Sequence, residues 1–176
     1  MTKGLTDMES AALSKASTIA SVVGVGMAAD LVSKSWARGS LADGSSTDFL
    51  PILSLRLTFN NGVSFGIFGV DGVGGLYVLL AATAILSVVV SVMAWRANSS
   101  LERFAFSLIA SGAWANLVDR AWFGVVTDFL DLHFGSWHPF VFNMADVWIS
   151  AGACLLLAFQ LLRQRTSGQA EVGPTN

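Results

Sequence analysis

Charge is scarce in this chain. Of its 176 residues only 12% are Asp, Glu, Lys or Arg, and the net charge is −2. With so few Lys and Arg there is no basic stripe to track a phosphate backbone, which sets nucleic acid aside as a partner. Cysteine is scarcer still. Cys154 stands alone in "AGACLLLAFQLL", so no internal disulfide forms, and no Cys or His lies near it at metal-ligand spacing. It reads as a small apolar packing residue. The two histidines, His133 and His138 in "HFGSWH", lack helical i,i+4 spacing and a further ligand set, which argues against a zinc site. No internal repeat is visible. What dominates is hydrocarbon: 53% of the residues are hydrophobic and the mean hydropathy is +0.62, beyond the range of ordinary soluble domains. The composition is that of a membrane protein.

A helix crossing the hydrocarbon core needs about 20 mostly apolar residues. Four stretches meet or approach this, at residues 17–36, 73–95, 101–122 and 140–162. Lys3 and Lys15 ahead of the first stretch also fit a secretory signal, but that stretch runs straight into "DLVSK" and cleavage would remove a span. With four spans, Lys3, Lys15, Arg96, Arg103, Arg163 and Arg165 fall on one side, which the positive-inside rule makes cytoplasmic, with both termini. Asp30, Asp43, Asp48, Asp71, Asp119, Asp128, Asp131 and Asp146 gather at the other surface, and the chemistry is expected there. The outer connection at residues 37–72 contains "LSLRLTFNNGVSFGIFG", whose alternation around "NNG" predicts short strands or a small sheet on the membrane surface. Phe59, Phe65, Ile67 and Phe68 either dip into the interface or pack in an ordinary hairpin. A second outer connection covers residues 122–139. The expected architecture is mainly α and polytopic: four transmembrane helices, a β-rich outer segment between the first two, one membrane-embedded domain over 1–166 and a disordered tail over 167–176.

Several polar residues interrupt these apolar runs. Asp30 and Lys34 are four apart, hence on one helix face, and fit either an ion pair or a functional pair facing the bundle interior. In "ANLVDR", Asn116 and Asp119 are one turn apart, and Arg120 either clamps a carboxylate or snorkels to lipid phosphate. Asp128 in "VVTDFL" and Asp146 in "FNMADVW" are each embedded among apolar neighbours near the outer end of an expected span. Two carboxylates at close range cannot both ionise easily, and a pair sharing one proton serves as base and acid together. From these residues alone a carboxylate-pair enzyme, a proton-coupled transporter and plain helix capping all remain open.

Five ordered blocks narrow the choice. "DLVSK", "NNGVSFGIF", "SGAWANLVDR", "GVVTDFLD" and "FNMAD" resemble the successive motifs of lipoprotein signal peptidase, the signal peptidase II family of bacterial inner-membrane aspartyl proteases. The resemblance covers residues 20 to 160. Val63 and Ser64 stand where Ala-Ala is commoner, and Ser111 and Ala115 where the family usually has Gly.

The resemblance implies an endopeptidase that removes the signal peptide from diacylglyceryl-modified prolipoproteins, cutting on the N-terminal side of the lipidated cysteine. Asp128 and Asp146 would be the catalytic dyad, one activating water and the other donating a proton. Asn60, Gly62, Asn116, Arg120, Asn143, Asp30 and Lys34 would support the dyad or bind substrate. Asp119 is expected to be structural, paired with Arg120 or a neighbouring span, with catalysis as its alternative. No metal or cofactor is implied. The partners would be the prolipoprotein and membrane lipid, the enzyme a monomer, and its site near the periplasmic face. The competing readings are a small proton-coupled transporter, disfavoured because the acids gather at one surface, and a non-catalytic scaffold that binds lipoprotein precursors.

Overall fold

The computed structural model describes residues 2–62 and 73–171, with side chains over 9–62 and 74–164. Four long helices carry the chain: α1 (Thr2–Ser40), α2 (Val73–Arg96), α3 (Ser100–Phe123) and α4 (Met144–Glu171). Three of them, over Glu9–Ser40, Gly74–Arg96 and Met144–Gln164, are long and apolar enough to cross a membrane. The helix expected at residues 101–122 forms, but its composition does not mark it as a span. Its position explains why: α3 packs against α1, α2 and α4, so much of its surface meets protein, and small or polar residues such as Ser107, Ser111, Gly112 and Asp119 are buried there.

Local signals set the ends of α3. Ser99 Oγ accepts from the Glu102 N–H at 3.1 Å, and Glu102 Oε2 accepts from the Ser99 N–H at 3.2 Å, so a reciprocal cap follows a tight turn from α2. At the other end Gly124, with φ 76°, closes the helix by donating to the Arg120 carbonyl at 2.9 Å. α4 is continuous to Glu171, into the segment expected to be a disordered tail.

The sheet departs from the expectation. It has four antiparallel strands in the order β1 (Ser46–Leu50), β2 (Leu53–Asn60), β3 (Val126–Phe134) and β4 (Trp137–Phe142). Only half of it comes from the connection between α1 and α2. The other hairpin is the connection after α3, so Asp128 lies on a strand and not at a helix end, and α4 begins at Met144 rather than at residue 140. β3 does not alternate because its first four residues are all buried, on both faces of the sheet. Phe129 packs with Ala37 and Leu41 at the C-terminal end of α1, seating the sheet on the bundle. A register shift between Leu55 and Thr58 puts Thr58 opposite Asp128 and Asn60 opposite Val126, so Asn60 shares a face with Asp128. Phe59 is exposed; Phe65, Ile67 and Phe68 lie outside the described residues.

Candidate active site

α4 starts with an acid in its first turn, and the reason is visible in its cap. Asn143 Oδ1 accepts from the Asp146 N–H at 3.1 Å, while Asp146 Oδ2 accepts from the Asn143 N–H at 3.1 Å. This reciprocal cap satisfies two backbone donors, and the helix N-terminus favours the carboxylate. A second carboxylate serves the same helix end: Asp30 Oδ1, from α1, accepts from the Ala145 N–H at 2.7 Å.

The Asn143 side chain has a second use. Its Nδ2 donates to Asp128 Oδ1 at 2.6 Å, so one fully buried amide joins the carboxyl of β3 to the N-terminus that holds Asp146. Asn60 also hydrogen-bonds Asp128. Burial, then the charge of Asp146, push the Asp128 carboxyl up from its ordinary 3.8 to about 6, against the opposing pull of the two amides and of Lys34. Asp146 Oδ1 accepts from Asn116 Nδ2 at 3.2 Å, and Asn116 Oδ1 accepts from Lys34 Nζ at 2.7 Å. The Lys34 bond fixes which end of the Asn116 amide faces Asp146.

Behind this pair lies a buried ionic layer. Lys34 Nζ is 2.7 Å from Asp30 Oδ2 and 3.6 Å from Asp119 Oδ2, with all three side chains shut off from solvent. Asp119 Oδ1 accepts from Arg38 Nη1 at 2.8 Å, and its Oδ2 accepts from the Thr127 N–H at 2.7 Å. Arg120 is buried, and the cations within ion-pair distance of Asp119 are Lys34 and Arg38 of α1 rather than the neighbouring Arg120. Gly62, at φ +72°, approaches this guanidinium. A Cβ there would meet Leu79 at 2.8 Å and Arg120 Nη2 at 3.4 Å, and the Gly62 N–H donates to Asn60 Oδ1 at 2.8 Å.

A different polar cluster occupies the opposite face of the sheet. Asp131 Oδ2 is 2.9 Å from both Arg56 Nε and His138 Nδ1. Ser54 Oγ donates to Asp48 Oδ1 at 2.8 Å, so it accepts from His133 Nε2 at 2.8 Å. The two imidazoles stack at 5.3 Å.

The matches to known proteins follow this layout. The model of the signal peptidase (SPase) II family matches residues 22–162. The chain belongs to the signal peptidase II family. Lipoprotein signal peptidase of Hydrogenovibrio crunogenus is 40% identical over 132 residues, 73% of this chain and 76% of that protein. The Escherichia coli lipoprotein signal peptidase is 37% identical over 143 residues, 80% of this chain and 87% of that one. A solved bacterial membrane enzyme, determined by the in meso method at 1.9 Å resolution, superposes with a TM-score of 0.72 at 25% identity, covering 82% of this chain and 93% of its own. Membership of a signal peptidase family makes the chain a protease, and its apolar helices make it a membrane protein.

The family-type residues converge in space. Asp128, Asp146, Asn60, Asn116 and Asn143 share one hydrogen-bond network, with Asp30, Lys34 and Asp119 behind it and Arg120 and Gly62 beside it. Ser111, where the signal peptidase II family usually has Gly, faces Gly26 of α1: a Cβ on Gly26 would lie 2.6 Å from Ser111 Oγ. The absence of a side chain at Gly26 leaves the room that Ser111 takes up at this contact between α1 and α3. Ala115 is fully buried. Arg38 was not among the candidate residues. Its place in "DLVSKSWAR", four after Lys34 and eight after Asp30, sets it on the same helix face and is the signal that points to it.

Proposed function

We propose that this chain is an aspartic-type endopeptidase of the bacterial inner membrane. It removes signal peptides from diacylglyceryl-modified prolipoproteins by cutting on the N-terminal side of the lipidated cysteine. The observation that carries the reading is Asn143, whose side-chain amide donates to the Asp128 carboxyl and whose backbone N–H donates to the Asp146 carboxyl, so that one residue ties together two acids from different elements. Charge arithmetic agrees. Asp30, Asp119, Asp128 and Asp146 face Lys34, Arg38 and Arg120, four acids against three cations, so the cluster is neutral when the dyad holds one proton.

With one proton on the pair, the ionised member takes a proton from water as the water oxygen bonds to the scissile carbonyl carbon. The protonated member donates to the carbonyl oxygen. In the second step the C–N bond breaks as one hydroxyl of the tetrahedral diol gives its proton to the ionised dyad member and becomes the new carbonyl, the other member gives its proton to the amine nitrogen, and the pair is again left with one proton. The steps are the same whichever member carries the proton at the start. Asn116, Asn143 and Asn60 hold the carboxyl groups without transferring protons, and Arg120 lies beside them to orient substrate.

The basic residues Arg96, Arg103 and Arg163 lie at the bundle end opposite the sheet, which supports cytoplasmic termini and a site at the periplasmic surface. α3 crosses the membrane as the central helix, shielded by its neighbours. The test is cleavage by purified protein in lipid of a diacylglyceryl-modified prolipoprotein and of its unmodified counterpart. The expected outcome is cleavage before the lipidated cysteine by the parent only. Cleavage surviving Asp128→Asn or Asp146→Asn would break the dyad assignment. A folded parent that binds the precursor without cutting it would make the chain a scaffold.

A further inference from the structure

We propose that Arg38 is a positioning residue for Asp128, acting through Asp119 and Thr127; the proposal rests on the peptidase reading of the dyad. Arg38 Nη1 bonds Asp119 Oδ1 at 2.8 Å and also bonds Thr127 Oγ1. The other Asp119 oxygen holds the Thr127 N–H at 2.7 Å. Thr127, fully buried, is therefore gripped twice, at its hydroxyl by α1 and at its backbone by α3. The next residue along β3 is Asp128.

The same guanidinium lies 3.7 Å from the ring centre of Phe123, the last residue of α3. One side chain thus secures both sides of the Gly124 turn, the helix that ends and the strand that begins. An Arg at the outer end of a membrane helix ordinarily reaches for water or lipid phosphate. Here the side chain is only 21% exposed and its head is committed to three protein partners. A planar fork with several donors suits this geometry, and a lysine ammonium does not.

Arg38 also belongs to the site's charge balance. Among the described residues, the charged groups around Asp119 and the dyad are Asp30, Lys34 and Arg38 from α1, Asp119 and Arg120 from α3, Asp128 from β3 and Asp146 from α4. α2 brings none to this end, since its only charge is Arg96 at the far terminus. Removing Arg38 makes the cluster more negative, which favours proton binding by the remaining acids.

The experiment compares parent, Arg38→Lys, Arg38→Met and Thr127→Val as full-length protein in lipid bilayers, on a diacylglyceryl-modified prolipoprotein, with rates corrected for the folded fraction. Arg38→Met is expected to lower kcat by about ten- to a hundredfold at an unchanged KM, as small displacements of a catalytic group do. Its pH profile is expected to move to higher pH. Arg38→Lys keeps the charge, so its profile stays in place while kcat falls less. Thr127→Val lowers kcat without moving the profile. Parental kcat and profile in Arg38→Met, or a rate loss that disappears on correction for folding, would overturn the proposal. Should Arg38→Met not fold, parental kcat in both Arg38→Lys and Thr127→Val would overturn it instead. An inactive parent removes the peptidase reading itself; an active parent with an unaffected Arg38→Met removes only the role of Arg38.

Discussion

The chain buries carboxylates in two kinds of setting. Asp30, Asp119 and Asp131 each have a cation within ion-pair distance: Lys34, then Lys34 and Arg38, then Arg56. Asp128 and Asp146 have, among the described residues, no cation that close, and are held by the amides of Asn143, Asn116 and Asn60 and by a backbone N–H. A carboxylate paired with a cation serves as its counter-charge, whereas neutral donors fix a carboxyl group in place without supplying a charge to match it. On the proposed reading the distinction separates the acids that hold the fold from those that do chemistry better than burial does, since Asp30, Asp119 and Asp131 are at least as buried as Asp128 and Asp146.

That division is most sharply tested by converting each kind to its amide. Asp128→Asn or Asp146→Asn is expected to lower kcat about a thousandfold or more while the protein stays folded, as loss of a general acid or base does. Asp119→Asn is expected to lower activity per folded molecule less, and to cost about 3–5 kcal/mol of stability because Lys34 and Arg38 lose a buried counter-charge. Equal losses of kcat would erase the distinction.

Asn143→Ser comes next in size. Serine keeps the helix cap, but its shorter side chain lacks the amide nitrogen that reaches Asp128. A fall in kcat of about tenfold or more with little change in Tm is expected, in line with a positioning loss rather than a folding one. A large drop in Tm with parental kcat would make Asn143 a cap and nothing else.

Acid dependence gives a third comparison. The folded chain holds the Asp128 proton up to about pH 6, while the unfolded chain releases it near 3.8. The contribution of this group to stability is therefore full below about 4 and is lost as pH rises through about 6. At neutral pH Asp128→Asn is expected to raise Tm relative to the parent, with the gap closing on acidification towards pH 4; a gap that widens on acidification would contradict the assignment. Asp131→Asn marks the small end: a loss of about 1 kcal/mol with kcat unchanged, since Arg56 reaches water on its own.

Much of this was legible in the sequence, for identifiable reasons. α2 was readable because its stretch is uniformly apolar, and it runs to within a residue of the expected end. Asp30 and Lys34 were readable because a four-residue spacing fixes a helix face. The second hairpin was not, because β3 is buried on both sides at its start and so lacks the alternation by which a half-exposed strand is recognised. α3 formed where expected, but at the centre of the bundle it has no need of the apolar surface that marks a lipid-facing helix. The partners of Asp119 were out of reach altogether: sequence neighbours favoured Arg120, while the pairing with Arg38 joins residues 81 positions apart.

The amide of Asn143 has one more consequence, which concerns time rather than space. The acids it joins come from a strand and from the last helix, and their supports come from α1 and α3, so the network spans positions 30 to 146 of the chain. Nothing short of a chain synthesised past Asp146, with α4 seated, contains the pair. If Asp128 and Asp146 are the proposed dyad, a nascent or half-inserted copy is inert until α4 is in place, and the order of synthesis itself keeps it from cutting before it is finished.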